Sequence, residues 1–259
     1  MQAVLSVAGR VGGVTVRLAE ETGGLVRLLW LVVRSMFPWR VDGPELVRNL
    51  FKVGVRPLII VVLTALFVGA LMVIQTATYV RQFGAYDLIG WGAAFATFRE
   101  VGPILIGLMF SGRVGANNTA ELGTMKVTEQ IDALRTLSID PIPYLVTPRF
   151  IAMVIMLFTL TVLGDVMAVL GGMVTAYGLI DLSPVSFWNS LAANIKVADF
   201  MQGLYKAAVF GGVIALVSCK FGLSVTGGAR GVGRAVNDSV VTTAVGIFVL
   251  DYVLTFILS

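Results

Sequence analysis

Five ionisable side chains lie inside otherwise apolar stretches of this sequence, and their chemistry is what most needs explaining. They are Arg99, Glu100, Asp165, Lys206 and Asp251. A charged group at membrane depth is costly, so it usually faces a protein interior or a water-filled cavity and marks a functional position. Arg99 and Glu100 are adjacent, so on a helix they point about 100° apart. Each of the two is therefore expected to need a partner from another segment.

Two kinds of chemistry suit these five residues. In the first, a polar cavity receives a lipid headgroup, with Arg99 or Lys206 binding its phosphate. In the second, the charges form interhelical ion pairs that hold a helix bundle together. Carboxylates repel phosphate, so the structural role is the favoured hypothesis for Asp165 and Asp251. Arg99, Glu100 and Lys206 are candidates for the lipid cavity, with the structural role equally open. Lys206 is expected near the start of its span, where it could reach outward.

The composition indicates a helical membrane protein. Mean hydropathy is +0.91, and 57% of residues are hydrophobic while 13% are charged, about half the 25% that is usual in soluble domains. About 20 apolar residues cross the hydrocarbon core as a helix. The apolar runs predict five spans, at 57–80, 88–112, 150–180, 203–221 and 237–258. The predicted fold is an all-α integral membrane protein, with an N-terminal region (1–56) before a transmembrane domain (57–259).

Several functional classes are excluded by residue counts. The chain has no histidine, which rules out histidine-based zinc motifs and a serine–histidine triad. We therefore predict no catalytic residue and no metal site. The single cysteine, Cys219, cannot form an internal disulfide. The net charge of +4 is not taken as a nucleic-acid signal, because the basic residues flank apolar spans instead of forming one patch.

The distribution of Lys and Arg predicts the orientation. Basic residues fall mainly in 1–56, 113–149 and 222–236, whereas the opposite side carries only Arg81 and Lys196. Basic loops face the cytoplasm. The N-terminus is therefore expected in the cytoplasm and the C-terminus outside.

The region before the first span has the pattern of an interfacial helix. Arg10 and Arg17 are seven residues apart, as are Arg27 and Arg34, so each pair shares a helix face, and Trp30 lies within an apolar run. Such a helix can lie in the membrane interface with its arginines reaching the headgroups. The alternative is a helix that packs against the spans.

The loop between the second and third spans is expected to hold an amphipathic helix at 118–137. Asn118 and Glu121 have the spacing of a capping box at its start, and Val127, Ile131 and Leu134 recur at helical spacing. Prolines after residue 140 would end it. Such a helix packs on the membrane surface or docks into a groove on a soluble partner.

Eight short stretches resemble one family. These are 99–103 (REVGP), 112–115 (GRVG), 120–125 (AELGTM), 128–134 (TEQIDAL), 140–141 (DP), 148–149 (PR), 231–236 (GVGRAV) and 250–255 (LDYVLT). In this order and spacing they resemble the MlaE family, the permease subunits of ABC transporters that move phospholipid or related lipids across the bacterial envelope. The resemblance covers roughly residues 45–259.

The resemblance implies a bacterial inner-membrane homodimer that works with two cytosolic ATPase subunits, a periplasmic MCE-domain protein and a small regulatory subunit. The helix at 118–137 would be a coupling helix, and its ATPase-coupling residues would be Glu129, Gln130, Asp132, Leu134 and Arg135. The chain itself contains no phosphate-binding G-x-x-x-x-G-K-[ST] loop. ATP and Mg²⁺ are therefore expected on the partner ATPases, and no cofactor is expected in this chain.

Two rival functions remain open at this stage. A proton-coupled secondary transporter would use Glu100, Asp165 or Asp251 as relays, although no inverted repeat is evident. A passive scaffold would only anchor an MCE protein. Both rivals predict that the segment at 118–137 drives nothing.

Overall fold

The computed structural model describes residues 19–20, 22–37, 42–84 and 88–258, and these are almost entirely helical, with no strand among them. The helices are α1 (22–36), α2 (Gly43–Val55), α3 (Leu58–Phe83), α4 (Ile89–Ala96), α5 (Gly102–Phe110), α6 (Ala116–Val127), α7 (Gln130–Thr136), α8 (Thr147–Ile180), α9 (Pro184–Asn194), α10 (Val197–Leu223) and α11 (Gly228–Leu258). Wide π-helical turns at Thr97–Val101, Ser111–Gly115 and Ile142–Val146 join α4 to α5, join α5 to α6 and lead into α8.

Among the residues that the structure describes, five helical stretches are long and apolar enough to cross a membrane, which confirms the predicted all-α membrane fold. They are Leu58–Val80, Ile89–Val127, Ile142–Ile180, Val197–Leu223 and Gly228–Leu258. The second and third each contain 39 residues, or about 58 Å of helix, while the hydrocarbon core is about 30 Å thick. The predicted spans 88–112 and 150–180 are therefore too short as helices, because α6 and the start of α8 continue past the apolar layer.

The fourth and fifth helices also begin earlier than predicted, at Val197 and Gly228. One consequence concerns Lys206. The residue lies about 14 Å along α10 from Val197, and its side chain is buried at 1% exposure. The expectation that Lys206 reaches outward from the start of its span is wrong.

Helices α3 and α8 are in backbone contact along a seam of glycines. A Cβ atom added to Gly69 would lie 1.9 Å from the carbonyl oxygen of Ala168, and one added to Gly171 would lie 2.0 Å from that of Leu66. Small residues permit this approach between membrane helices. Any larger side chain at either glycine would force the two helices apart.

Helix α1 packs one face on the end of the bundle, as the alternative to an interfacial helix predicts. Leu28 and Val32 are buried in a cluster that also contains Leu122, Ile131 and Leu216. The Ser35 hydroxyl lies 2.6 Å from that of Thr147 at the start of α8.

The opposite face of α1 is exposed and apolar. It carries Val26, Trp30, Val33 and Phe37 at helical spacing, and Arg27 and Arg34 are also exposed. This outer face fits a helix that lies along a membrane surface, so the interfacial role stays a prediction. Arg10 and Arg17 lie outside the described residues.

The predicted helix at 118–137 is in fact two helices, α6 and α7, joined by a left-handed turn at Glu129 (φ 61°, ψ 11°). Asn118 is not an N-cap, because it lies inside α6 and is 6% exposed. Its amide group donates to Ser218 Oγ on α10 at 2.8 Å. The break at Glu129 allows Ile131 to pack in the apolar cluster beneath α1. A straight continuation of α6 would carry Ile131 away from the protein.

Candidate functional site

Three of the five intramembrane charges predicted from the sequence, Glu100, Lys206 and Asp251, meet where the second span, α10 and α11 come together. Lys206 is the centre of the group. Its Nζ donates to Glu100 Oε2 at 2.6 Å, to Thr255 Oγ1 at 2.7 Å and to the carbonyl oxygen of Arg99 at 3.1 Å. It also lies 3.0 Å from Asp251 Oδ1. We call Glu100, Lys206, Asp251 and Thr255 the buried charge cluster.

The position of the cluster follows from a local feature of the second span. Pro103 has no N–H group, so it cannot donate to the carbonyl oxygen of Arg99 one turn earlier. The helix widens into the π turn at Thr97–Val101, immediately before Gly102 and Pro103. A carbonyl left free at membrane depth must find another donor. Lys206 supplies it.

Thr255 links the last helix to the second span. Its hydroxyl receives a hydrogen bond from Lys206 and lies 3.2 Å from Glu100 Oε1, to which it donates. Thr255 was not singled out from the sequence. The signal that could have found it is its position four residues after Asp251, which places the two on one face of a helix.

Arg99 points away from the cluster and has its own partner, as predicted for two adjacent charges. Its Nη1 lies 3.6 Å from Asp199 Oδ1 near the start of α10, and its guanidinium stands over the ring of Phe95 at 5.4 Å. The Arg99 side chain is 21% exposed and that of Glu100 is 33% exposed, whereas that of Lys206 is only 1% exposed. Of the three lipid-cavity candidates, Arg99 and Glu100 remain accessible and Lys206 is enclosed.

Asp165 is the exception among the five charges, because it has no ion-pair partner in the described part of the chain. Both carboxylate oxygens are buried without a hydrogen bond, and the residue is 1% exposed. It lines a narrow gap beside Thr97 and Gly102. The predicted interhelical ion pair is wrong for Asp165, whereas Asp251 forms one with Lys206.

A second polar network lies where α2, α6, α8 and α10 come together. Arg149 Nη2 is 3.0 Å from Glu121 Oε1, and its Nη1 donates to Asn118 Oδ1 at 2.9 Å. Lys52 forms an ion pair with Glu121 from the opposite side. Sequence reasoning missed this network, since it assigned Asn118 and Glu121 to a helix cap. The spacing of these four residues along the chain gives no sign that they meet.

The residues predicted to couple to an ATPase lie on and beside α7, and they divide into two groups. Glu129, Gln130 and Arg135 are exposed, whereas Asp132 and Leu134 are half-buried. The Lys126 ammonium donates to the Asp132 carboxylate at 2.8 Å, and with Arg135 it holds the pKa of that carboxyl below its usual range.

The apolar side chains of α7 show how the helix is held. Ile131 is 1% exposed, and Leu134 packs against the same cluster beneath α1. Leu137, just after the helix, is instead 70% exposed. Ile131 and Leu134 therefore fix α7 to the bundle, while Leu137 remains available to a partner.

Comparison with known proteins identifies the family. The Permease MlaE family model matches residues 46–257. A probable ABC transporter permease protein of Rickettsia felis is 37% identical over 252 residues, covering 97% of each chain. Another probable ABC transporter permease protein, from Synechocystis sp., is 38% identical over 219 residues, covering 85% of this chain and 83% of that protein.

A plant relative is similar over most of the same region. The Arabidopsis thaliana protein TRIGALACTOSYLDIACYLGLYCEROL 1, chloroplastic, is 34% identical over 224 residues, covering 86% of this chain and 64% of that protein. The match to the family model covers most of the chain, and the relatives from two bacterial groups are 37% and 38% identical to it over the aligned residues. This multi-span helical chain belongs to the MlaE permease family and is a permease subunit of an ABC transporter.

Proposed function

We propose that this permease moves phospholipid between the inner membrane and a periplasmic MCE-domain protein. It works as a homodimer driven by two cytosolic ATPase subunits that bind ATP and Mg²⁺, with a small regulatory subunit beside them. The observation that carries the proposal is a short helix, α7, held against the bundle at the basic end of two membrane-spanning stretches. The name of the plant relative contains the name of a lipid, which supports a lipid as the transported molecule.

Helix α7 is built to transmit force to the membrane region. Its exposed side, with Glu129, Gln130, Arg135 and Leu137, would dock in a groove of the ATPase. Its buried side, with Ile131, packs against α6 residues such as Leu122. Since α6 continues the second span, a push on α7 is passed along that span toward the wide turn at Thr97–Val101.

The wide turns supply the places where such a push would change the shape of the second span. Turns of this kind are common at functional sites and interrupt the regular helical bonding. One of them carries Arg99 and Glu100. In the proposed cycle, movement of the second span opens the contacts of Glu100 with Lys206 and exposes Arg99 to the lipid phosphate.

A path wide enough for a lipid is easier to form between two copies than within one five-span chain. Helix α11 offers a surface for a second copy, because only 11% of its most apolar 18-residue stretch is buried in the protomer. Phe248, Tyr252 and Phe256 are exposed along it. This face also lies beside Asp251, so a dimer there would place the buried charge cluster near the central path.

The proposed orientation follows the basic residues. Lys52, Lys126, Arg135 and Arg149 lie at one end of the spans and Lys196 at the other, so α7 and the N-terminus would face the cytosol and the C-terminus the periplasm. This orientation places α7 where cytosolic ATPases can reach it.

The test is transport by the reconstituted complex. The permease, its ATPase and the MCE protein are assembled in liposomes that contain fluorescent phospholipid, and transfer of the label is followed with and without ATP. The proposal expects ATP-dependent transfer that stops when the ATPase cannot hydrolyse ATP. A proton-coupled transporter would work without the ATPase, and a scaffold would transfer nothing in either condition.

A further inference from the structure

A cavity at the basic end of the spans is not used by the transport cycle described above. It lies between α2, the turn at Ser111–Gly115, α6 and α8. One part of its wall is basic, with Lys52, Arg56 and Arg113, and another part is apolar, with Val53, Val114 and Met153.

The charges around this cavity are unbalanced toward positive. Glu121, the acidic residue in its wall, already forms ion pairs with Lys52 and with Arg149, the second at 3.0 Å. Arg56 and Arg113 are exposed and make no ion pair with any described residue. Within the described part of the chain, two guanidinium groups are therefore left without a counter-charge at the mouth of the cavity.

The cavity lies at the depth of the lipid headgroups. Arg56 comes two residues before Leu58, where the first span begins. Arg113 lies about 36 Å along the helical stretch from Ile89, which is slightly more than the thickness of the hydrocarbon core. Both arginines are thus at the edge of the apolar layer, on the side where basic residues cluster.

We propose that this cavity binds the phosphate group of an anionic phospholipid from the leaflet on the basic side of the membrane. Arginine binds phosphate through two parallel hydrogen bonds, which suits Arg56 and Arg113. Val53, Val114 and Met153 would contact the glycerol and the first acyl carbons, which a free phosphate ion does not have. The proposal does not rest on the proposed transport, because a lipid that stays bound would occupy the cavity equally well.

The experiment compares lipid retention by the full-length chain and by matched variants. The protein is purified in mild detergent, dioleoyl phosphatidylglycerol is added, and bound lipid is counted by native mass spectrometry. The variant is R56Q/R113Q. The control, R230Q/R234Q, removes two other exposed arginines and so the same net charge.

Retention of phosphatidylglycerol is expected to fall about tenfold in R56Q/R113Q, an affinity change of about 1.4 kcal/mol, and to be unchanged in R230Q/R234Q. R113K keeps the positive charge but loses the planar guanidinium group, so this variant should retain an intermediate amount of phosphatidylglycerol. It replaces R56Q/R113Q as the test if the double variant fails to fold. An equal fall in R56Q/R113Q and the control would overturn the proposal, because it would show attraction by overall charge.

Competition with inorganic phosphate shows whether the cavity binds the phosphate of a lipid or a free phosphate ion. A large excess of it is expected to leave phosphatidylglycerol bound, because the ion gains nothing from the apolar wall. If phosphate displaced the lipid completely from the unaltered protein, the site would be one for the free anion and the lipid assignment would be wrong.

Discussion

Lys206 donates a hydrogen bond to the carbonyl oxygen of Arg99 at 3.1 Å, and Pro103 explains why that oxygen is available. Proline removes the backbone donor one turn later, so a charged side chain from another helix completes the bonding. The carbonyl oxygen of Arg99 and the buried ammonium group of Lys206 therefore provide each other with a hydrogen-bond partner. The pairing ties α10 to the point where the second span can bend, and it makes Lys206 a structural centre as well as a neighbour of the other two lipid-cavity candidates, Arg99 and Glu100.

The first prediction concerns the loss of Lys206. Lys206→Met should lower the free energy of unfolding by about 3 kcal/mol, because removing one partner of a buried pair leaves uncompensated charge. Adding Asp251→Asn to this variant should restore part of the lost stability, since the side chain at position 251 then carries no unpaired negative charge. Thermal unfolding in detergent measures both. If the two changes simply added, Lys206 and Asp251 would not be coupled.

A second prediction concerns the seam between α3 and α8. Gly69→Ala should destabilise the protein by about 2 kcal/mol, because the new methyl group would meet the backbone of Ala168 at 1.9 Å. Gly178→Ala in the same α8 is the matched control. No atom lies within 4 Å of its added Cβ, so it should be neutral or stabilising. Equal melting temperatures for the two variants would contradict the close seam.

Helix α7 gives a third prediction. Leu137→Ala should weaken binding of the ATPase about tenfold, by about 1.4 kcal/mol, without changing stability, because the side chain is 70% exposed. The control is Val185→Ala, which alters another exposed apolar residue (69% exposed) on the opposite side of the membrane. It should change neither ATPase binding nor stability. Affinity is measured by titrating the purified ATPase onto the detergent-solubilised permease. Unaltered affinity in the Leu137 variant would remove this residue from the interface.

Asp165 separates ATP-driven transport from the proton-coupled alternative. Asp165→Asn should unfold at an equal or higher temperature, because the amide has no charge to desolvate and both oxygens lack partners in the described structure. It should also retain ATP-dependent transport. A variant that folds normally yet loses all transport would instead favour a proton relay through this carboxylate.

The parts of this structure that depend on local pattern could be predicted from the sequence. The charge-free run at 57–80 is enough to identify the first span, and the adjacency of Arg99 and Glu100 is enough to require separate partners. Asn118 shows where such reasoning ends. Its spacing to Glu121 resembles a helix cap, but its real partner, Ser218, is 100 residues away in the sequence, and only packing of α6 on α10 brings them together.

Lys206 and Asp251 were both recognised as intramembrane charges, but their pairing could not be read from the chain. It depends on which faces α10 and α11 turn toward each other. Lys52 and Arg149 fall in the basic segments 1–56 and 113–149, and no local pattern predicts that both reach Glu121. The break at Glu129 was also missed, because no glycine or proline marks it.

The central claim, that this permease is driven by ATP through α7, is tested most directly by phospholipid transfer in liposomes containing the assembled complex. The rate is compared between the unaltered chain and a variant carrying Glu129→Ala and Leu137→Ala. The account predicts ATP-dependent transfer by the unaltered complex and loss of that transfer in the variant, with unchanged melting temperature. Transfer at the same rate without ATP, or undiminished transfer by the variant, would contradict it.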